Sequence, residues 1–162
     1  MGIELTRVDN RLLHGQVAVI WSHHAKANLI VIANDEVAED EMQQQLMEMA
    51  AGNLGVRFFS IQKTIDVIHN ASPDQKIMLL VQTPQDVVRL VEGGVPINDI
   101  NIGNMHFSEG KRQIHVTVSV DDDDMATFRR LKELGIRFHL QRTPSEEKLD
   151  IFALDEAFKK TK

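Results

Sequence analysis

The chain has 162 residues, of which 43% are hydrophobic and 26% charged, a length and composition that suit one globular domain with a proper core. Its formal net charge of −6 argues against nucleic-acid binding, which usually needs a basic face. The absence of cysteine excludes disulfides, a cysteine nucleophile and cysteine metal ligands.

The first segments of the chain predict a strand, a helix and a second strand. The first strand is expected at residues 3–8. A helix is expected from Gly15 onward. Its apolar and ring-bearing residues recur at helical spacing, at Val17, Ile20, Trp21 and His24. Residues 28–34 (NLIVIAN) are mostly apolar and β-branched, a pattern typical of a parallel strand buried on both faces.

The next helix is rich in methionine. Acidic residues cluster at its start, where the helix dipole favours them. One face is marked by Met42, Leu46, Met49 and Ala50, and Gly52 is expected to end the helix. We expect the methionines to lie in the core, although such a stripe can also serve a dimer face.

The remaining segments continue the alternation. Strands are expected at residues 56–62, 76–82, 99–103, 113–120 and 136–141. Helices are expected at residues 63–70, from Pro84 to an end at Gly93-Gly94, and from Asp121 to an end at Gly135. A polar, partly helical tail is expected at residues 145–162. The loop between the strands at 99–103 and 113–120 is too short for a helical crossover, so we expect these two strands to be antiparallel to each other.

This order of elements predicts an α/β fold with right-handed crossovers. We expect a single domain spanning residues 1–162, built on a mainly parallel open β-sheet of about seven strands. Helices are expected on both faces of the sheet, and one strand is expected to be antiparallel. No internal repeat, linker or low-complexity segment marks a boundary within the chain.

The loop after the first strand is the leading candidate for a site, because ligands of open parallel sheets bind at the carboxyl ends of the strands. It holds Asp9, Arg11, His14 and Gly15 just before a helix, whose first N–H groups favour an anion. Imidazole is a competent nucleophile, and a guanidinium fork suits phosphate oxygens. Asp9 could orient His14 or hold Arg11, and Gly15 permits close approach to the backbone. The alternative is a plain polar loop with a surface ion pair.

Other loops at the same edge supply further pocket candidates. Asp35 and Thr83 are expected as helix caps or pocket walls, and Thr83 precedes a proline that suits the first helical position. Gly103 and Asn104 either donate backbone N–H groups or form a tight turn. His106 is expected to contact a phosphate or a partner, or to be structural.

Neither a metal site nor a membrane span is indicated by the sequence. No histidines show zinc-site spacing, and the acidic run at residues 121–124 lacks the glycine and spacing of a calcium loop, which favours a helix cap. The most apolar stretch, at residues 76–82, is far too short to span a bilayer. We therefore expect a soluble cytoplasmic protein.

The loop RVDNRLLHGQV (residues 7–17) resembles the signature of the IIB components of the mannose/fructose/sorbose family of the bacterial sugar phosphotransferase system, PTS. The similarity continues through ANLIVIANDEVAED, QKIMLLVQTPQDVVRLVEGGVPINDINIGNMHFSEGKRQI and VSVDDDD, nearly the whole chain. NDEVAEDEMQQQLMEMA with NIGNMHFSEGK looks most like the N-acetylgalactosamine or galactosamine branch. Asn10 stands where the family is often acidic.

The resemblance implies a phosphotransferase. A phosphoryl group from a phosphohistidine on a separate IIA protein would be carried on Nδ1 of His14 and passed to a sugar held by membrane subunits IIC and IID. Arg11 would steady the phosphate, and the rest of the motif is matched by Asp9, Gly15 and Gln16. The resemblance implies no metal or cofactor, and a cytoplasmic location at the membrane through IIC and IID. A homodimer stays open.

Two other functions are compatible with a phosphate-handling loop. Histidine phosphatases and phosphomutases also carry phosphate on histidine, but they share a contiguous Arg-His-Gly, whereas Leu13 precedes His14 in this chain. A non-enzymatic flavodoxin-like receiver module would instead accept phosphate on an aspartate such as Asp35, and His14 would then be incidental.

Overall fold

The structure, a computed structural model, describes residues 2–161. The strands are β1 (Gly2–Asp9), β2 (Leu29–Ala33), β3 (Gly55–Phe59), β4 (Lys76–Val81), β5 (Asp99–Asn104), β6 (Arg112–His115), β7 (Val118–Val120) and β8 (Arg137–Leu140). The α-helices are α1 (Val17–Ala25), α2 (Glu41–Ala51), α3 (Ile61–Val67), α4 (Pro84–Glu92), α5 (Asp122–Glu133) and α6 (Ile151–Lys160). Short 3₁₀ turns lie at Val37–Glu39 and Ile68–Asn70.

The predicted α/β fold with an open parallel sheet is confirmed. Six parallel strands lie in the order β3-β2-β4-β1-β5-β8, and β6 and β7 form a separate antiparallel pair. The segment expected as one strand at 113–120 is two short strands, β6 and β7, that pair with each other. The prediction that this segment pairs antiparallel with the strand at 99–103 is therefore wrong. The reason is that β5 already pairs in parallel with β1 along one edge and with β8 along the other.

The predicted strand at 56–62 extends too far, because a helix begins inside it. The side chain of Ser60 accepts a hydrogen bond from the backbone N–H of Lys63 at 3.0 Å, which caps α3 at its first turn. Ile61 and Gln62 are therefore helical. The caps predicted elsewhere are confirmed: Thr83 accepts from the N–H of Asp86 at 3.1 Å, and the acidic run at 121–124 forms a capping box at the start of α5.

Apolar side chains on both faces of the sheet pack against helices, as predicted. Ile30 and Ile32 of β2 belong to a cluster with Trp21 of α1. Val31, between them on the strand, belongs to the opposite cluster, which includes Phe128 of α5. Successive residues of β2 thus face opposite sides, and both sides are buried, which explains why the strand is apolar throughout.

The methionine-rich helix α2 packs through a different face from the one predicted. Met47 and Ala51 are buried against the sheet, whereas Met42, Leu46 and Met49 are exposed by 74%, 58% and 78% of their surface. The helix carries two apolar stripes, and the sequence spacing could not show which of them contacts the core. The expectation that the α2 methionines are core residues holds for Met47 and is wrong for the other two.

Candidate functional site

A tight loop at the end of β1 is organised by the carboxylate of Asp9. Its Oδ1 accepts a hydrogen bond from the backbone N–H of Arg11 at 2.9 Å. Its Oδ2 accepts from Nε2 of His14 at 3.0 Å, and the side chain is only 2% exposed. The chain turns sharply at Leu12, which is buried at a φ of +59°. This turn returns His14 to the end of the strand that carries Asp9.

His14 lies just before the amino end of α1. Gly15 has a φ of +51°, in the left-handed region that glycine tolerates, and the helix begins two residues later. Gln16 occupies the N-cap position but makes no side-chain capping hydrogen bond. The first backbone N–H groups of α1 are thus not satisfied by a capping side chain, and the helix dipole favours an anion beside them.

The buried guanidinium of Arg7 lies beneath the loop. It donates to the side-chain oxygen of Asn101, to the backbone oxygen of Gln141 at 3.2 Å and to that of Arg142 at 3.3 Å. Its Nη2 is 3.7 Å from Oδ2 of Asp9. Arg7 therefore ties the ends of β1, β5 and β8 together directly under the carboxylate that holds His14.

Arg7 keeps its charge although it is buried. Burial lowers the pKa of Arg7 to about 10, while the neighbouring Asp9 carboxylate acts in the opposite direction. The guanidinium also lies 5.3 Å from the ring centroid of Trp21, within the range of a cation–π contact. A pKa near 10 leaves Arg7 protonated at neutral pH, so a positive charge lies beside the carboxylate of Asp9.

Gly103 and Asn104, both predicted as pocket residues, line the same cavity as His14. A methyl group on Gly103 would collide with the guanidinium of Arg7, so the glycine makes room for that side chain. Asn104 accepts a hydrogen bond at its backbone oxygen from the N–H of Asn10 at 3.1 Å, which ties the β1 loop to the end of β5. Their role in the fold is thus to seat Arg7 and to hold the loop.

The cavity beside His14 has a volume of about 410 Å³ and collects side chains from three strand ends. The predicted residues that line it are Asp9, Arg11, His14, Gly103 and Asn104. The lining residues that the sequence prediction did not include are Arg7, Val17, Thr117, Arg142, Thr143 and Glu146. Residues 142–146 follow a predicted strand, β8, so the rule that ligands bind at carboxyl strand ends could have identified them.

Two arginines at this cavity differ in their partners. Arg142 donates from Nε and Nη2 to Oε1 of Glu146, at 3.1 and 2.9 Å, and Thr143 donates to the other carboxylate oxygen at 3.1 Å. These hydrogen bonds, that of Arg142 foremost, lower the pKa of Glu146. The exposed guanidinium of Arg11 makes no hydrogen bond or ion pair within residues 2–161. Arg11 is thus free to meet an anion, whereas Arg142 would have to leave Glu146.

Asp35 is remote from this cavity in its contacts. Its Oδ1 accepts from the backbone N–H of Ile61 at 2.9 Å, and its Oδ2 pairs with Arg89 at 3.2 Å. The carboxylate thus ties the start of α3 to α4, and Asp35 is a connecting residue rather than a wall of the His14 cavity.

Thr83 and His106 line a neighbouring cavity of about 290 Å³, and neither lines the cavity of His14. Asn10 joins the two regions, since its side-chain amide donates to Nδ1 of His106 while its backbone oxygen accepts from Gln82 at 3.2 Å. His106 therefore contacts the β1 loop through Asn10 and is not itself beside His14.

The arrangement at His14 supports nucleophilic chemistry on an anionic group. A ring with one nitrogen bound to a buried carboxylate stands beside a helix start and a free arginine, a combination suited to positioning a phosphoryl group. Within residues 2–161, no group of three or more histidine, aspartate or glutamate side chains is placed to hold a metal ion. No helix in the same range is long and apolar enough to cross a membrane.

Comparison with known proteins gives consistent matches over almost the full length. Residues 3–162 match the family model described as "PTS system sorbose subfamily IIB component". The chain is 54% identical over 153 residues to the N-acetylgalactosamine-specific phosphotransferase enzyme IIB component 2 of Escherichia coli (strain K12), covering 94% of this chain and 98% of that protein. It is 40% identical to the sorbose-specific EIIB component of Lacticaseibacillus casei, covering 99% of each.

A solved structure shows the same fold. The crystal structure of the PTS N-acetylgalactosamine-specific IIB component 1 from Escherichia coli superposes with a TM-score of 0.90 at 51% identity. The superposition covers 93% of this chain and 99% of that one. The similarity therefore extends over nearly the whole fold.

Proposed function

Since the chain belongs to the PTS system sorbose subfamily IIB component family, it is a phosphotransferase component of sugar uptake, and we propose that His14 is its phosphoryl carrier. In this proposal His14 receives the group from a phosphohistidine on a separate IIA protein. It passes the group to a sugar held by the membrane subunits IIC and IID as the sugar enters the cell. The protein then acts in the cytoplasm, at the membrane through IIC and IID.

The observation that carries the proposal is the 3.0 Å hydrogen bond from Nε2 of His14 to Oδ2 of Asp9. Because an ionised carboxylate only accepts hydrogen bonds, this contact favours the neutral ring with its proton on Nε2, which leaves the lone pair that can attack phosphorus on Nδ1. Within residues 2–161, Nδ1 of His14 makes no hydrogen bond. The side chain is 24% exposed beside an open cavity, so two partner proteins could reach it in turn.

The transfer follows from this geometry. Nδ1 forms a bond to phosphorus as the P–N bond to the donor histidine breaks, and the ring of His14 becomes positively charged. The buried carboxylate of Asp9, hydrogen-bonded to Nε2, stabilises that charge. In the second step a sugar hydroxyl gives its proton to water or to a base of the receiving subunit and forms a P–O bond while the P–N bond to His14 breaks. His14 then returns to the neutral ring.

The surroundings suit a carrier that must also give the group away. The guanidinium of Arg11 and the first N–H groups of α1 offer favourable contacts to phosphate oxygens. Arg142 lines the same cavity but is engaged by Glu146. A phosphoryl group on His14 would thus meet one free arginine, which stabilises the intermediate without trapping it.

We also propose N-acetylgalactosamine as the sugar, with galactosamine as the next candidate. The support is the 54% and 51% identity to two Escherichia coli relatives named for N-acetylgalactosamine, against 40% to a relative named for sorbose. Growth of a deletion strain on N-acetylgalactosamine, galactosamine and mannose tests this assignment. Growth lost on mannose alone would contradict it.

The carrier role is tested by following labelled phosphate. The protein is incubated with labelled phosphoenolpyruvate, the general phosphotransferase proteins and a IIA protein of the same transporter, and the label is mapped by mass spectrometry under alkaline conditions. We expect label on His14, lost in His14→Ala and retained in His106→Ala, a matched histidine in the neighbouring cavity. No label on the wild type with a IIA that is itself phosphorylated would overturn the proposal.

The same experiment separates the two other functions. A histidine phosphatase would hydrolyse small phosphate esters without any IIA protein. A receiver module would carry the label on Asp35, whose carboxylate is instead engaged by Ile61 and Arg89. Loss of label in Asp35→Asn with retention in His14→Ala would therefore favour the receiver.

A further inference from the structure

Helix α2 presents an apolar face to solvent. Met42, Leu46 and Met49 lie at spacings of four and three residues, which aligns them along one side of the helix, and all three are more than half exposed. Met47 and Ala51 occupy the opposite, buried side. We call the three exposed residues the methionine face. Large apolar side chains that are exposed together on one helix face mark interaction sites, and methionine adapts well to a partner surface.

The segment that carries the methionine face is strongly acidic. Residues 27–56 contain no lysine, arginine or histidine, and their six acidic residues equal the formal net charge of −6 of the whole chain. All six are exposed, and we call them the acidic rim: Asp35, Glu36, Glu39, Asp40, Glu41 and Glu48. An apolar face carried on a segment rich in exposed carboxylates complements a partner whose apolar side chains are flanked by lysine or arginine.

This surface is continuous with the proposed phosphoryl site. A cavity of about 360 Å³ is lined on one side by Arg11 and Leu12 of the β1 loop and on the other by Asp40 and Gln43 at the start of α2. Arg11 also lines the cavity of His14. A partner seated on the methionine face would therefore extend toward the mouth of the site.

We propose that the methionine face and its acidic rim dock the cytoplasmic loops of the membrane subunits that receive the phosphoryl group. The inference rests on the proposed function and names the surface that serves its second step. Cytoplasmic loops of membrane proteins carry an excess of lysine and arginine, which is the charge that this surface lacks. Two copies of this chain would bring two acidic rims together, and anionic lipid headgroups would be repelled.

Two separate half-reactions test the inference. The first measures labelling of His14 by phosphorylated IIA in solution. The second measures sugar phosphorylation by inside-out membrane vesicles containing IIC and IID of the same transporter, as the concentration of the phosphorylated protein is varied. The variants are the triple Met42→Gln, Leu46→Gln, Met49→Gln and the double Glu41→Lys, Glu48→Lys. Glutamine and lysine preserve helix propensity, and a melting curve checks each fold.

The matched control for the charge change is the double variant Glu133→Lys, Glu156→Lys, whose exposed positions lie on α5 and α6. We expect both α2 variants to raise the KM for the phosphorylated protein in the vesicle reaction at least tenfold, with kcat unchanged. Labelling in solution should stay within twofold of the wild type. The control should change neither half-reaction by more than twofold.

Other outcomes overturn the inference in distinguishable ways. Slower labelling in solution with an unchanged vesicle KM would assign the face to the IIA donor. No effect in either half-reaction would show that nothing docks there. Dissociation of a wild-type dimer by the triple variant, seen by sedimentation, together with an unchanged vesicle KM would assign the face to a second copy. A wild type that takes no label from competent IIA would instead overturn the proposed function itself.

Discussion

Asp9 holds His14 from inside the protein: Oδ2 of the buried carboxylate accepts a hydrogen bond from Nε2 of the partly exposed ring at 3.0 Å. The other carboxylate oxygen accepts a hydrogen bond from the backbone N–H of Arg11, so the carboxylate cannot rotate without breaking that hydrogen bond. The pair therefore fixes both the direction of the ring and the nitrogen that carries its proton. Within residues 2–161 Nδ1 makes no hydrogen bond, as the proposed carrier role requires.

Replacing Asp9 by asparagine should slow phosphoryl transfer to His14 by about 100-fold, because a misoriented ring and a lost countercharge both raise the barrier. The rate of labelling by phosphorylated IIA measures this. In the wild type we expect nearly all neutral rings to carry the proton on Nε2. Nitrogen-15 NMR of the ring should show that this fraction falls in Asp9→Asn. Asp35→Asn removes a carboxylate remote from the His14 cavity and should leave the rate within twofold. An unchanged rate in Asp9→Asn would show that Asp9 is only a structural turn residue.

The loop of His14 could be located from the sequence because its residues are local. Asp9, Arg11, His14 and Gly15 lie within seven positions, and the alternation of strands and helices placed them at a carboxyl strand end. Arg7 could not be assigned, because a charged residue inside a predicted strand gives no sign that it is buried beneath the site. Its partners Gln141 and Arg142 lie more than 130 positions away, and only the position of β8 beside β5 brings them together.

The same limit explains the error on α2. Spacing shows that Met42, Leu46 and Met49 share a face, and the sequence contains a second stripe at Met47 and Ala51. Both stripes satisfy the helical period, so periodicity alone does not select the buried one. Tertiary packing of α2 on the sheet selects it, and the stripe left outside is the one for which a partner is inferred.

Gly103→Ala should weaken both the fold and the reaction, because the added methyl group collides with the guanidinium of Arg7 under the site. We expect a loss of about 1–3 kcal/mol in the free energy of unfolding, and slower labelling of His14 as Arg7 and Asp9 move. Gly93→Ala is the matched control, since its methyl group would meet Ile65, remote from the His14 cavity. It should lose comparable stability in urea denaturation but label at the wild-type rate. Equal labelling rates in the two variants would contradict the seating of Arg7 by Gly103.

Arg11→Ala should slow phosphoryl transfer while leaving the fold nearly intact. The guanidinium is exposed and makes no hydrogen bond within residues 2–161, so the free energy of unfolding should change by less than about 0.5 kcal/mol. A charge-assisted hydrogen bond to a phosphate oxygen is worth about 1.5–3 kcal/mol, so the transfer rate should fall by about 10- to 100-fold. Arg57→Ala, another exposed arginine, should change neither quantity. A large loss of melting temperature in Arg11→Ala would count against a functional role.

Stability in acid should depend on the pair that fastens the β6–β7 hairpin to α6. Arg112 donates to both carboxylate oxygens of Asp155, at 2.6 and 3.1 Å, and these hydrogen bonds lower the pKa of Asp155 below its ordinary value of 3.8. A lowered pKa in the folded state means that the stabilisation is fully present above pH 3.8 and disappears as the pH falls through the lower value. Asp155→Asn should therefore cost about 1.5–3 kcal/mol at pH 7 and progressively less below pH 3.8. Urea denaturation from pH 7 to pH 2 measures the difference, with the exposed Asp66→Asn as control. A difference that does not change with pH would show that the pair acts through packing rather than charge.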